Sequence, residues 1–210
     1  MEKHVYFVRH GQSEENLDHV LRGRDAQLTE EGKKQADVVA ERIERIGVDA
    51  LISSPFPRAL DTAVNIGERI GINPEQNALF GEWVEPSNSH GKHRDHPERK
   101  NAHQAIIAAT DDHNYRHADE ETFAELVGRA QSAICMIEQH PAERICVVTH
   151  GGFLRVVIGA MVFGTEFSKK NFVRLLYHFY TTNTGITYVR YTNETPRWQL
   201  VTWNDQSHLG

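Results

Sequence analysis

The sequence predicts an α/β fold, a three-layer sandwich with a mostly parallel central sheet and helices on both faces, and three observations carry that prediction. The apolar run Val5-Tyr6-Phe7-Val8 is closed by Arg9-His10-Gly11. A second run, Ile145-Cys146-Val147-Val148-Thr149, is closed by His150-Gly151-Gly152. Around them lie segments whose apolar residues recur at helical spacing. Short continuous apolar runs bounded by turn residues read as strands buried on both faces. In open α/β sheets sites gather at the carboxyl ends of such strands, so two histidines far apart in sequence should face one crevice.

The elements follow in order. Thr29 to Gly47 reads as an amphipathic helix, with Thr29 as N-cap, Ala36, Val39, Ala40 and Ile43 on one face and Gly47 as the stop. Leu51-Ile52 makes a short strand. Ser53-Ser54-Pro55-Phe56-Pro57 then turns into a helix over Arg58 to Ile70, ended by Gly71, with Pro57 early in the helix where its missing N–H costs little. From Asp119 to His140 the set Phe123, Leu126, Val127, Ala130, Ile134 and Ile137 marks a long helix stopped by Pro141. Gly152 to Phe163 is helical. Gly185 to Tyr191 and Trp198 to Trp203 alternate as strands, and Asn193 to Pro196 between them suggests a hairpin.

Composition sets the class. A chain of 210 residues that is 39% hydrophobic and 25% charged is ordinary for a globular protein and suits a single domain over 1–210. The formal net charge of −6 argues against broad nucleic-acid binding. A negative protein that handles anions must concentrate its positive charge locally. The chain enters a strand directly after Met1-Glu2-Lys3-His4, with no signal peptide and no transmembrane run, so no membrane partner is expected and a cytoplasmic location is the default. Cys135 in a helical pattern and Cys146 in a strand both read as buried thiols of a reducing compartment.

The residues at the strand ends suit chemistry on a phosphoryl group. A neutral imidazole is a good nucleophile near pH 7, its unperturbed pKa being about 6.5. Arg9 adds a planar donor fork matched to phosphate oxygens. Arg58 falls in a first helical turn, an unfavourable place for a cation beside the positive end of the dipole, and an anion such as phosphate would offset that. Taken singly, each of these groups has an ordinary reading as a surface ion-pair partner or a turn residue.

In this order, RHGQSEEN, LTEEGKKQA, SSPFPRALDTA and VTHGG resemble the histidine phosphatase superfamily, the group of phosphoglycerate mutase-like enzymes. The match covers the first eighty or so residues and the stretch from Ile145 to Gly152, and the middle diverges. The resemblance implies His10 as the nucleophile that becomes phosphohistidine, with Arg9, Arg58 and His150 around the transferred group. It gives Asn16 a phosphate contact and makes Glu82, in Leu79-Phe80-Gly81-Glu82-Trp83, the proton donor, with Glu85 nearby as the competing assignment. Gly11, Gln12, Gly151 and Asn183 fall at positions that would border the substrate. Gln12 stands where the family often has glutamate. Asn16 reads equally as a helix cap, Asn183 as a turn residue and Glu82 as a solvated acid.

The mechanism implied is in-line attack by neutral His10, with the arginines on the equatorial oxygens, His150 as a charged donor to phosphate and a protonated Glu82 giving its proton to the departing alkoxide. No metal and no other cofactor is required. Three functions are in play: a phosphatase acting on a small phosphorylated metabolite or a phosphoprotein, a mutase that returns the phosphoryl group, and a non-catalytic phospho-ligand binder. The segments that bind substrate in primer-dependent mutases are not found, which favours hydrolysis. A polar insertion over about 84–118 carries His90, His93, His96, His103, His113 and His117 among Lys92, Arg94, Arg99 and Lys100. It reads as a cap whose basic groups meet the substrate, as plain surface, or as a metal site, although Gly91 and Pro97 oppose a helix across His90-x-x-His93-x-x-His96 and zinc would need further ligands.

Overall fold

The computed structural model describes residues 2–192, 194 and 196–210. Its strands are β1 (Glu2–Arg9), β2 (Ala50–Ser53), β3 (Glu75–Gln76), β4 (Arg144–Thr149), β5 (Ile186–Thr192) and β6 (Arg197–Asp205), in the sheet order β3-β2-β4-β1-β5-β6. The first four strands pair in parallel, and β5 and β6 extend the sheet antiparallel. Of the expected β5–β6 hairpin, Asn193 and Thr195 lie outside the described residues.

Helices cover both faces: α1 (Glu14–Asp18), α2 (Glu30–Ile46), α3 (Pro57–Ile70), α4 (Pro97–Ala108), α5 (Phe123–Gln139), α6 (Gly151–Phe163) and α7 (Lys169–His178). Side chains alternate across a strand, so Val5, Phe7, Ile145 and Val147 meet α5, α6 and α7 on one face. Val8, Cys146 and Val148 meet α2 and α3 on the other. Two cores explain why β1 and β4 read as unbroken apolar runs rather than as alternation. Each side chain fully buried there contributes about 1.5–3 kcal/mol.

Register places the site. Arg9 pairs with Thr149, so His10 and His150 leave neighbouring parallel strands at one level. The ladder continues past the strand ends, with His10 N–H donating to the Thr149 carbonyl at 3.0 Å and Ser54 N–H to that of Val148 at 2.9 Å. Thr29 caps α2 by accepting from the Gly32 N–H at 3.0 Å. Gly11 packs against that helix start: a Cβ on it would stand 2.4 Å from the Gly32 carbonyl oxygen. Only glycine permits this approach.

Two sequence expectations are corrected, and two helices appear for which none was predicted. The helix expected from Asp119 starts at Phe123, because Thr122 and Glu125 form a capping box there. Cys135 is exposed, lying off the α5 stripe of Leu126, Ala130, Ala133 and Ile137; Cys146 is buried. The polar segment contains α4, beginning with Pro97 in the first turn, where proline is favoured. Its periodicity is hard to read since only Ala102 and Ile106 are buried. The helix α7 has no counterpart in the sequence reading.

Candidate active site

At the end of β1 the His10 ring is buried and held from both sides. Its Nδ1 lies 2.7 Å from the Gly11 carbonyl oxygen, and its Nε2 lies 3.2 Å from Arg58 Nε. A carbonyl only accepts, so Nδ1 carries the proton; a guanidinium only donates, so Nε2 presents its lone pair. This is the tautomer a nucleophilic imidazole needs. Burial, then the charges of Arg58 and Arg9, hold His10 well below the ordinary histidine range, which keeps it neutral.

Arg58 comes from the first turn of α3, as the sequence predicts, and is itself buried, with Nη1 donating to the Gly23 carbonyl at 2.7 Å. Arg9 donates through Nη1 to the Thr181 carbonyl at 2.6 Å. Burial lowers Arg9 to about 10, which leaves it cationic at neutral pH.

His150 stands behind His10, ring centroids 5.1 Å apart, and its Nε2 lies 2.8 Å from Ser54 Oγ. The expected positive charge on His150 is corrected: complete burial, with Arg58 as the next cause, pushes it well below the usual value. His150 Nδ1 and Arg9 Nε are buried and have no hydrogen-bond partner among the described residues. Arg9 Nε is a donor and calls for an acceptor here; His150 Nδ1 does so in the tautomer in which Ser54 Oγ–H donates to its Nε2.

The two neutral imidazoles make stability depend on pH. In the unfolded chain they protonate near pH 6.5, whereas the fold refuses those protons until well below. Their contribution is complete above pH 6.5 and is lost as the pH falls towards the depressed folded values, at up to about 1.4 kcal/mol per pH unit for each ring. Denaturant midpoints measured from pH 7.5 to 5.5 are expected to drop; a flat series would mean that both rings titrate normally in the fold.

Glu82 reaches the cluster from the loop after β3. Its Oε1 accepts from Trp83 N–H at 2.9 Å and Phe153 N–H at 2.8 Å, and Oε2 from Gly152 N–H at 3.0 Å, so it sits on the positive end of α6. A Cβ on Gly152 would lie 2.7 Å from Glu82 Oε1, which reserves that position for glycine. Gly151 also borders the cleft. Glu85 is committed elsewhere, with Arg99 Nη2 at 3.1 Å and Nε at 3.3 Å.

Three residues expected to border the substrate make contacts within the protein. Gly11 packs on Gly32 and donates its N–H to Thr62 Oγ1 at 3.1 Å. Gln12 turns its side chain to Thr29 Oγ1 at 2.9 Å, away from the cleft. Asn183 gives its Nδ2 protons to the His10 carbonyl at 3.0 Å and to Asn16 Oδ1 at 2.9 Å, so it fixes the nucleophile's loop. Asn16 stands at the third position of α1, where Oδ1 completes the capping box with the N-cap Ser13, and it also lines the cleft.

The cleft over these groups has a volume of about 330 Å³. It also contains residues the sequence reading missed, chiefly Glu15 and Arg155. Arg155 lies four residues after Gly151 and donates to its carbonyl at 2.6 Å, so helical spacing alone could have found it. Glu15 sits in a five-residue helix with no buried face and left no periodic signal.

In the polar segment, His103 borders this cleft and His90 a second, adjoining one, while His93, His96, His113 and His117 are exposed elsewhere. The basic groups expected to meet substrate are partly engaged within the segment, Lys92 with Glu98 and Arg99 with Glu85. Among the described residues no three His, Cys, Asp or Glu side chains converge to hold a metal ion. Nor is any described helix long and apolar enough to cross a membrane.

Comparison with known proteins agrees with this geometry. A metal-independent phosphoserine phosphatase of Arabidopsis thaliana is 29% identical over 215 residues, covering 98% of this chain and 82% of that protein. The phosphoglycerate mutase-like protein 4 of the same plant is 26% identical over 222 residues, covering 98% and 86%. Of solved structures, a mycobacterial glucosyl-3-phosphoglycerate phosphatase superposes with a TM-score of 0.80 at 23% identity, covering 97% of this chain and 100% of that one, and shows the fold to be shared. The model of the histidine phosphatase superfamily (branch 1) matches residues 5–206, and the chain belongs to that family.

Proposed function

We propose that the protein is a metal-independent phosphatase that hydrolyses a phosphomonoester through a phosphohistidine on His10. The observation that carries the reading is the pairing of a neutral His10, its Nε2 lone pair turned to Arg58, with a buried unpartnered donor, Arg9 Nε, and the buried unpartnered Nδ1 of His150. A nucleophile ringed by donors suits a tetrahedral anion whose own charge must be offset before an electron pair can approach it.

On this reading a substrate phosphate takes the place of His10 Nε2 as the acceptor for Arg58. With Ser54 Oγ–H donating to His150 Nε2, the His150 Nδ1 proton meets another phosphate oxygen, and Arg9 Nε meets a third. Nε2 of His10 attacks phosphorus as the P–O ester bond breaks, and Glu82, an ionised acceptor in the free site, takes the proton of a monoanionic ester and passes it to the departing alkoxide. The positive charge left on the phosphoimidazole is shared with the Gly11 carbonyl through Nδ1–H. Water then attacks phosphorus, its proton passes to the Glu82 carboxylate, the P–N bond breaks, and phosphate and neutral His10 are restored. Small phosphorylated metabolites match the cleft, and the polar segment over 84–118 forms its cap, since Leu21 N–H donates to the Lys92 carbonyl at 3.1 Å and fastens the segment beside the cleft.

Rapid mixing with a 4-nitrophenyl phosphate in the presence of a chelator tests the mechanism. A phosphoenzyme labile to acid and stable to alkali should form on His10 and decay to inorganic phosphate. Transfer of the group back to an added alcohol without net phosphate release would identify a mutase, and chelator-sensitive turnover would contradict the reading.

A further inference from the structure

We infer that the leaving-group side of the site selects cations: the carboxylate of Glu15, set beside the apolar wall of Leu21, Phe56 and Trp83, receives an ammonium group carried by an apolar or aromatic alcohol. The inference rests on the phosphatase reading above and names its substrate class.

A second cleft of about 200 Å³ adjoins the first. The two share Glu15, Arg58, Glu82, Trp83 and Glu85 as walls. Because Arg58 and Glu82 border both, the second cleft opens from the side where the ester oxygen would depart. Its lining is suited to a flat or apolar body. Leu21 and Phe56 are buried, and Trp83 is fixed by its indole N–H, which donates to the Glu121 carbonyl at 2.9 Å.

The charges in this cleft do not balance once phosphate is bound. Arg58 is then occupied by the phosphate. Arg24, over the Phe56 ring at 5.5 Å from its centroid, also lines this cleft, and its single charge offsets one of the two carboxylates Glu15 and Asp25. Glu85 is neutralised by Arg99. Glu15 has no ion pair among the described residues: its Oε2 accepts from the Arg22 N–H at 3.0 Å, but the Arg22 guanidinium binds Asp18 and leans on Glu14. Asp25, also on this wall, adds a second carboxylate. Burial raises the Glu15 carboxyl above its ordinary range, against the opposing pull of the Arg22 N–H and of the Arg58 charge. A leaving group with its own carboxylate would face like charge against an apolar wall, whereas an ammonium would find its complement.

The test uses the intact protein and the phosphate esters of 4-(aminomethyl)benzyl, 4-methylbenzyl and 4-carboxybenzyl alcohol, whose methylene keeps the leaving oxygens alike. The wild type is expected to favour the ammonium ester over the carboxylate ester in kcat/KM by on the order of thirtyfold, with the methyl ester between them. Glu15→Gln is expected to reduce that ratio by on the order of tenfold. A merely structural role for Glu15 would change all three esters together and leave the ratio intact. A wild-type ratio near one, or a wild-type ratio retained by the variant, overturns the inference and leaves the phosphatase reading standing. If the wild type hydrolyses none of the three, the phosphatase reading fails and the inference with it. Should Glu15→Gln not fold, the wild-type series decides alone.

Discussion

His10→Ala is expected to lower turnover of an aryl phosphate by roughly four to six orders of magnitude, since on the proposed mechanism it removes the atom that bonds to phosphorus rather than a group that assists. No phosphoenzyme should be trapped. Binding should behave differently: Arg9, Arg58 and His150 stay in place, and Arg58 Nε, released from His10, is free to meet an anion. Inorganic phosphate or vanadate is therefore expected to bind the variant within about tenfold of the wild type. Calorimetry alongside a turnover assay checks both halves. Activity within tenfold of wild type would remove His10 from the chemistry, and loss of activity together with loss of anion binding would show that the variant had lost the site as a whole.

Arg58 carries the second largest expected effect, and two variants separate its two actions. Arg58→Met removes the charge and the donor fork, and kcat/KM is expected to fall by about two to three orders of magnitude. It also removes the charge that, next to burial itself, does most to depress His10. His10 then takes up a proton at higher pH, so the acid limb of the rate profile moves upward. Arg58→Lys keeps the charge and loses the planar fork, so its rate should fall while its acid limb stays nearer the wild-type position. Limbs that coincide in wild type and Arg58→Met would show that the guanidinium does not act on the nucleophile. Profiles measured from pH 4.5 to 8 on one substrate suffice.

The sequence reading was sharpest where chemistry and local geometry share the same few residues. Arg9-His10-Gly11 and His150-Gly151 mark strand ends, and a parallel ladder turns two strand ends into neighbours, so the meeting of the imidazoles was legible before any coordinates. The α2 helix was equally plain, its cap, stripe and stop all written in local sequence. Roles that depend on distant partners were not legible. That Gly11 packs on Gly32, and that Asn183 gives its amide to the His10 carbonyl, could not be read from residues so far apart. His150 was expected to carry a charge because its partners suggested an anion, but the depth of its burial is a property of two cores closing around it. The α4 helix went unread because it packs through two small contacts rather than a stripe.

One feature of the β1 exit bears on how the protein becomes active. The carbonyl groups of Arg9 and His10 are gripped by the Thr184 N–H at 2.8 Å and by the Asn183 side chain at 3.0 Å, both on the approach to β5. Asn183 lies 173 residues after His10, so synthesis delivers the imidazole long before the side chain that holds its loop. The His10 loop is therefore set only when the antiparallel edge of the sheet docks, and clipping the chain before Asn183 is expected to leave that loop unanchored.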